Sequence, residues 1–267
     1  MKLAISNIAW EIHDDPLILK RLSELGVSGI EIAPTKVWPE WRNISKNSIE
    51  NYRAKLSDLG FKVPSLQAIL FGKPELNIFN VSCHHKFLEH IKLVADIASG
   101  LDTDVIVFGS PKNRKRNQVS LVDAEKIAQD FFLKAGDICQ QQGCKLGIEH
   151  NPVEYGCDFL TNIKDVSNFV SSLNHANVQL HVDSAGIHMC NDDIEQAILN
   201  SIPFIHYHIS EPMLEPIVNG VVNHIAAATA LKSISYSNWI SIEMKQPHTI
   251  DIMYESISKS ISDYSVL

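Results

Sequence analysis

The chain predicts an α/β fold, a single (β/α)8 barrel over residues 1–267, and three observations carry that expectation. Short apolar or β-branched runs alternate with longer helical patterns from one end to the other, which is the signature of βαβ units and a parallel sheet. Eight such runs occur, each followed by a helical stretch. No Pro-, Gly- or Ser-rich hinge or low-complexity segment divides them, and 267 residues suit one closed barrel.

The strand-like runs are KLAISNIA (2–9), SGIEI (28–32), KVPSLQA (62–68), DVIVF (104–108), KLGIEH (145–150), NVQLHVD (177–183), IPFIHYH (202–208) and NWISIE (238–243). Helices are expected at 16–24, 48–58, 83–98, 122–141, 163–173, 192–199, 226–231 and 249–260. Asp15 before Pro16 reads as a cap with a first-turn proline, and Asn162 three residues before Asp165 reads as a capping box. Gly26, Gly60, Gly100 and Gly143 follow four of the helices, where a left-handed residue usually ends the last turn. An open, doubly wound sheet is the competing arrangement. Its GxGxxG fingerprint after the first strand is absent, because that strand runs into Trp10-Glu11-Ile12-His13.

Apolar residues make up 45% of the chain and charged residues 20%, as in ordinary folded domains. The opening MKLAISNIAW is too short in apolar residues for a signal-peptide core, and no later run reaches the length of a membrane span, so a cytoplasmic protein is expected. Five cysteines, Cys83, Cys139, Cys144, Cys157 and Cys190, are scattered without a CxxC pair, which fits reduced thiols. A net charge of −8, from 31 acidic and 23 basic residues, argues against nucleic acid or anionic membrane as partners. The local exception is the run Lys112, Arg114, Lys115 and Arg116, either a solvated loop or a phosphate-binding segment.

Four strand-like runs in the second half end in a carboxylate or a histidine: KLGIEH, VQLHVD, PFIHYH and WISIEM. Consecutive strands of a parallel barrel deliver their last residues to one face, so Glu149, Asp183, His208 and Glu243 converge there. Three hard oxygen ligands and one imidazole make a site for one divalent metal ion, Mn, Co, Mg or Zn. The bland alternative is a set of solvated charges at the barrel mouth.

On these residues the chain resembles the xylose isomerase-like TIM barrels, a superfamily that includes ketose 3-epimerases, hydroxypyruvate isomerase, inosose dehydratase and endonuclease IV. The resemblance runs from GVSGIEIAP at strand two to WISIEM at strand eight, and its metal ligands map onto Glu149 in GIEHNP, Asp183 in HVDSAGIH, His208 in HYHISE and Glu243 in SIEMK. It implies a metal-dependent isomerase or epimerase of a small sugar, sugar phosphate or sugar acid, with Glu149 and Glu243 as catalytic groups on opposite faces of the sugar carbon. It further implies substrate contacts from His188, five residues after Asp183 where the family interval is three, and from Glu154 and Glu211. Ketose 3-epimerases place an arginine after the strand-seven histidine, where this chain has Met213. Homo-oligomers are common among such barrels.

Trp10 is expected either to wall the sugar or to sit in the core, and Arg114 and Lys245 are candidates for a substrate phosphate or carboxylate. Gln67, Glu31, Ser110, Asn113, Asn151 and His224 are further polar residues at the same end. Three other functions compete: a sugar or inosose dehydratase, an endonuclease IV-like phosphodiesterase, and a non-catalytic sugar-binding barrel. The phosphodiesterase needs further histidines on strands three and four, where this chain has Gln67 and Phe108-Gly109-Ser110.

Overall fold

A computed structural model describes residues 2–201 and 203–267. Seven parallel strands form one curled sheet: β1 (Lys2–Ser6), β2 (Gly29–Glu31), β3 (Val105–Phe108), β4 (Lys145–Glu149), β5 (Val178–Asp183), β6 (Phe204–Ser210) and β7 (Trp239–Glu243), in the order β2-β1-β7-β6-β5-β4-β3. The expected strand at 62–68 fills the gap between the two edges. Its backbone exchanges hydrogen bonds with β2 (Ile30 N to Lys62 O, 2.9 Å; Gln67 N to Ile32 O, 2.9 Å) and with β3 (Leu66 N to Val105 O, 2.9 Å; Val107 N to Leu66 O, 2.7 Å). Pro64 has no N–H to donate, and the pairing is a series of isolated parallel bridges rather than a continuous ladder. These bridges close the ring, and the architecture is the expected (β/α)8 barrel.

The longer helices α1 (Asp15–Glu24), α3 (Lys46–Asp58), α4 (His84–Gly100), α5 (Leu121–Gln141), α6 (Ile163–Leu173), α8 (Ile194–Leu199), α9 (His224–Ser233) and α10 (Ile250–Asp263) fall where the sequence predicts them within a few residues. The one-turn α2 (Pro34–Val37) and the short α7 (Ser184–Met189) were not foreseen. The main core lies between the helices and the outward faces of the strands; Phe132, for example, meets Phe108 edge-on at 5.1 Å and Phe169 at 5.7 Å. All five cysteines are free, and among the described residues no helix is long and apolar enough to cross a membrane.

Several local readings are corrected by tertiary contacts. Asp15 is not a cap but the first residue of α1, fully buried, and its carboxylate accepts from Trp10 Nε1 (2.8 Å), Tyr52 Oη (3.4 Å) and Lys55 Nζ (2.8 Å). Gly100 closes α4 without a left-handed backbone, because a Cβ there would sit 2.7 Å from Ile49 Cγ2; the positive φ falls on Asp102 instead. Gly26, Gly60 and Gly143 do take φ of 74–84° as expected, and Asn162 accepts from Asp165 N at 2.9 Å. β6 runs past His208 to Ser210, and Ile202, expected to open that strand, lies outside the described residues. The β5–β6 register slips between Leu180 and His181, pairing Phe204 with Leu180 but His206 with His181. The extra residue Ile205 then joins Val105 and Val107 in a small apolar cluster apart from the main core.

Removing the buried Asp15 node leaves the Trp10 indole and the Tyr52 hydroxyl without their acceptor. Asp15→Ala should lower the unfolding free energy by about 2–3 kcal/mol in urea denaturation.

Candidate metal centre

A cavity of about 260 Å³ opens where the C-terminal ends of the strands meet, and Glu149, Asp183, His208 and Glu243 all line it. Glu149, Asp183 and Glu243 are the last residues of β4, β5 and β7; His208 stands two residues before the end of β6. One ligand atom from each of the four lies within 4.8 Å of the others. His208 Nδ1 is 3.2 Å from Glu243 Oε2 and 3.6 Å from Glu149 Oε1, yet it has no hydrogen-bond partner. A buried imidazole nitrogen left bare among three carboxylates is the arrangement that a divalent cation resolves, and the set of three oxygens and one nitrogen fits Mn, Co, Mg or Zn.

Each of the four side chains is held from behind. Asp183 Oδ1 accepts from Gly186 N (2.6 Å) at the start of α7, and Oδ2 accepts from Ser210 Oγ. Asn151 Nδ2 donates to Glu149 Oε2 at 3.2 Å. Gly109 follows β3, and a Cβ there would fall 2.2 Å from Glu149 Oε2, so only glycine leaves room for the carboxylate. His208 Nε2 donates to Glu31 Oε1 at 3.0 Å. Ala68, Ser110 and Leu214 also line the cavity, each with a left-handed backbone (φ 51°, 50° and 57°), a concentration of strain typical of functional mouths.

Burial together with the Glu149 and Glu243 charges pushes the Asp183 carboxyl up to about 7. Burial also raises Glu243. For Glu149 burial acts the same way, but attraction to the adjacent His181 and His208 wins and lowers it. Burial opposes charging of His208, yet Glu31 and Glu243 hold its pKa well above the ordinary imidazole value.

Other residues named from the sequence fall in several places. Arg114 is fully buried near Glu149, with none of its three guanidinium nitrogens partnered. Glu211 is buried outside the cavity wall, where its carboxylate accepts from Val221 N, Val222 N and His224 Nε2 and pins the loop after β6. Trp10 packs in the core with its indole bonded to Asp15, away from the cavity. His188, on α7, and Glu154, in the single turn Val153–Tyr155 after β4, are exposed, and Lys245 is exposed in an ion pair with Glu215. His84 Nε2 donates to Ile78 O, and His85 is exposed beside Glu89.

Two residues with no role in the sequence reading, His150 and His181, stand at the centre together with Glu31, which the sequence placed only among the polar residues at this end. His150 lines the cavity with both ring nitrogens unpartnered. His181 lies beneath it, 3.4 Å from Glu149 Oε1 and edge-on to His208 at 4.2 Å. Glu31 reaches His208 from the far side of the barrel. The signal for His181 was the alternation of polar residues in HVD, which with HYH marks a polar inward face.

A metal ion must displace the protons that Asp183, Glu243 and His208 hold more tightly than usual. Affinity for Mn²⁺ should therefore rise with pH through about 7, the Asp183 value, with net proton release on binding below it. Calorimetric titrations in buffers of different ionisation enthalpy measure both quantities.

The family model for the xylose isomerase-like TIM barrel matches residues 19–260. No curated protein sequence matches the chain. Solved structures with the same fold include the 3-keto-D-glucoside 4-epimerase YcjR from E. coli in apo form (TM-score 0.80, 16% identity, 100% of each chain covered). A D-psicose 3-epimerase determined in the presence of D-fructose aligns with TM-score 0.79 and 17% identity over 99% of this chain and 97% of that one. The IolI protein with a bound zinc atom aligns with TM-score 0.74 and 19% identity over 99% and 95%. With the match extending over nearly all of the barrel, the chain belongs to the xylose isomerase-like TIM barrel family.

Proposed function

We propose that this protein is a divalent-metal-dependent isomerase or epimerase acting on a small sugar, sugar acid or sugar phosphate. The observation that carries the reading is the convergence of Glu149, Asp183, His208 and Glu243 in one cavity at the C-terminal mouth of the barrel. The sugar epimerases among its structural relatives support the substrate class. Those four residues would hold the ion, which when bound polarises a sugar carbonyl and acidifies the adjacent C–H.

The surroundings divide the carboxylates into two kinds. Asp183 is buried and both of its oxygens are engaged by Gly186 N and Ser210 Oγ, so it serves as a fixed ligand. Glu149 and Glu243 keep 14% and 13% side-chain exposure toward the cavity, and they flank His208 Nδ1. They are the groups placed to exchange a proton with a sugar carbon. Removal by one and return by the other inverts the carbon; return by the same group to the neighbouring carbon moves the carbonyl.

Assays on a panel of ketoses, with deuterium uptake from solvent followed in parallel, test this. Glu149→Gln and Glu243→Gln should each lower turnover by roughly 10²–10⁴-fold. Asp183→Asn should lose the ion, read by elemental analysis of untagged protein. Wild-type protein that carries no divalent metal even after reloading would overturn the reading.

Arg114 does not line the cavity, but its unpartnered guanidinium near Glu149 favours a substrate whose anionic group reaches past the cavity wall, whereas burial pushes His150 down to about 4 and leaves it neutral. A buried guanidinium without a partner is costly to keep, while a bound carboxylate or phosphate supplies the missing acceptors. Arg114→Met should therefore raise the melting temperature but increase KM for sugar acids or phosphates at least tenfold more than for neutral sugars. An unchanged KM ratio between anionic and neutral substrates removes this refinement and leaves the isomerase reading standing.

A further inference from the structure

Glu31 ends β2, is fully exposed to none of the solvent (0%), and turns into the barrel interior, where barrels ordinarily stack Val, Ile and Leu. Its carboxylate gathers donors from three other segments of the wall. Oε1 accepts from Ser65 Oγ (2.6 Å), His206 Nε2 (3.1 Å) and His208 Nε2 (3.0 Å); Oε2 accepts from Ser241 Oγ (3.1 Å). β1 and β7 separate β2 from β6 in the sheet, so the Glu31–His208 bond crosses the barrel instead of running along a ladder. Every partner is itself buried.

Stability gives no reason for this array. A carboxylate and two imidazoles in a dry core lose hydration that their mutual attraction repays only in part, and an apolar set of equal volume would serve the fold as well or better. What the array does accomplish is visible at His208. A neutral imidazole that donates Nε2–H to a carboxylate carries its lone pair on Nδ1. That is the atom turned toward Glu149 and Glu243 and left without a partner. A ring flip would break the bond to Glu31, and the edge of His181 at 4.2 Å packs against the ring.

We infer that Glu31 is a positioning residue of the metal centre: reaching across the barrel, it fixes His208 with Nδ1 facing the cation and strengthens it as a donor. Ser65, His206 and Ser241 hold the Glu31 carboxylate for that task. His206 lies deeper, at a hollow of about 410 Å³ at the opposite mouth of the barrel, so the array extends away from the substrate cavity. The inference rests on the metal reading proposed above and adds to it the part of the chain that makes one ligand competent. Outer partners of metal-bound histidines typically contribute 10–100-fold to metal affinity.

The same three groups, Glu31, His206 and His208, also lie close enough to hold an ion of their own, and the experiment separates the two arrangements. Metal-free protein is titrated with Co²⁺, whose visible absorption reports coordination, alongside Mn²⁺ calorimetry. The proteins compared are wild type, Glu31→Gln and Ser241→Ala; the last removes one donor to Glu31 and keeps the fold if the first does not. Wild type should bind one Co²⁺ per chain. Glu31→Gln should bind it about 10–100-fold more weakly with an altered spectrum, and Ser241→Ala a few-fold more weakly, while urea denaturation of the metal-free proteins changes little or shows added stability. Equal Co²⁺ affinity and spectrum in wild type and both variants, with only the stability of the metal-free protein reduced, overturns the inference while the metal reading stands. Two Co²⁺ per chain falling to one in Glu31→Gln overturns it in favour of an ion in the deeper cluster. A wild type that takes up no Co²⁺ overturns both readings together.

Discussion

Three carboxylates and an imidazole held within 4.8 Å of one another in a buried mouth repel and dehydrate each other, and much of the surrounding structure exists to tolerate that placement. Burial and then repulsion raise the carboxyl pKa values of Asp183 and Glu243, while attraction to Glu31 and Glu243 makes His208 strongly basic. It is contained by groups aimed from behind: Gly186 N and Ser210 donate to Asp183, Asn151 donates to Glu149, and Glu31 accepts from His208. Closing the ring is a condition for all of this. The bridges at 62–66 bring β2 to β3 and so let Glu31 face β6 across the interior.

The barrel interior is accordingly divided. Val105, Val107 and Ile205 supply a small apolar patch, while Glu31, Ser65, His181, His206 and Ser241 supply a polar one that runs beneath the cavity. The slip in β5–β6 pairing makes this division possible, since it lets Ile205 join the apolar patch without displacing His206 and His208 from the polar one. Structural cohesion comes instead from the large apolar layer between strands and helices. The fold can thus spend its inner face on chemistry because its outer face carries the core.

The same separation explains which residues near the mouth have become structural. Glu211 is saturated by two backbone amides and His224, and a Cβ on Gly220 would fall 1.8 Å from its Oε1, so this carboxylate is sealed into a loop. Lys245 is matched with Glu215 at the surface. Arg114 and His150 are the opposite case, buried and without hydrogen-bond partners: His150 lines the cavity, and Arg114 lies near Glu149 outside its lining.

By itself the amino-acid sequence determined the (β/α)8 order, the placement of the longer helices and the convergence of Glu149, Asp183, His208 and Glu243. Those features are written in local period and in the last residues of strands, and a parallel barrel turns strand ends into one site without further information. Capping at Asn162 was legible for the same reason, because cap and amide are three residues apart. Tertiary structure decided the rest. Asp15 has the local signature of a cap, but Trp10, Tyr52 and Lys55 converge on it and make it a buried node. His188 and Glu154 follow the right strands at altered intervals, and the short helical segments after those strands carry them to the exterior. Glu31 and His208 stand 177 residues apart, and only ring closure, which sets two strands face to face across the interior, puts a carboxylate 3.0 Å from that imidazole.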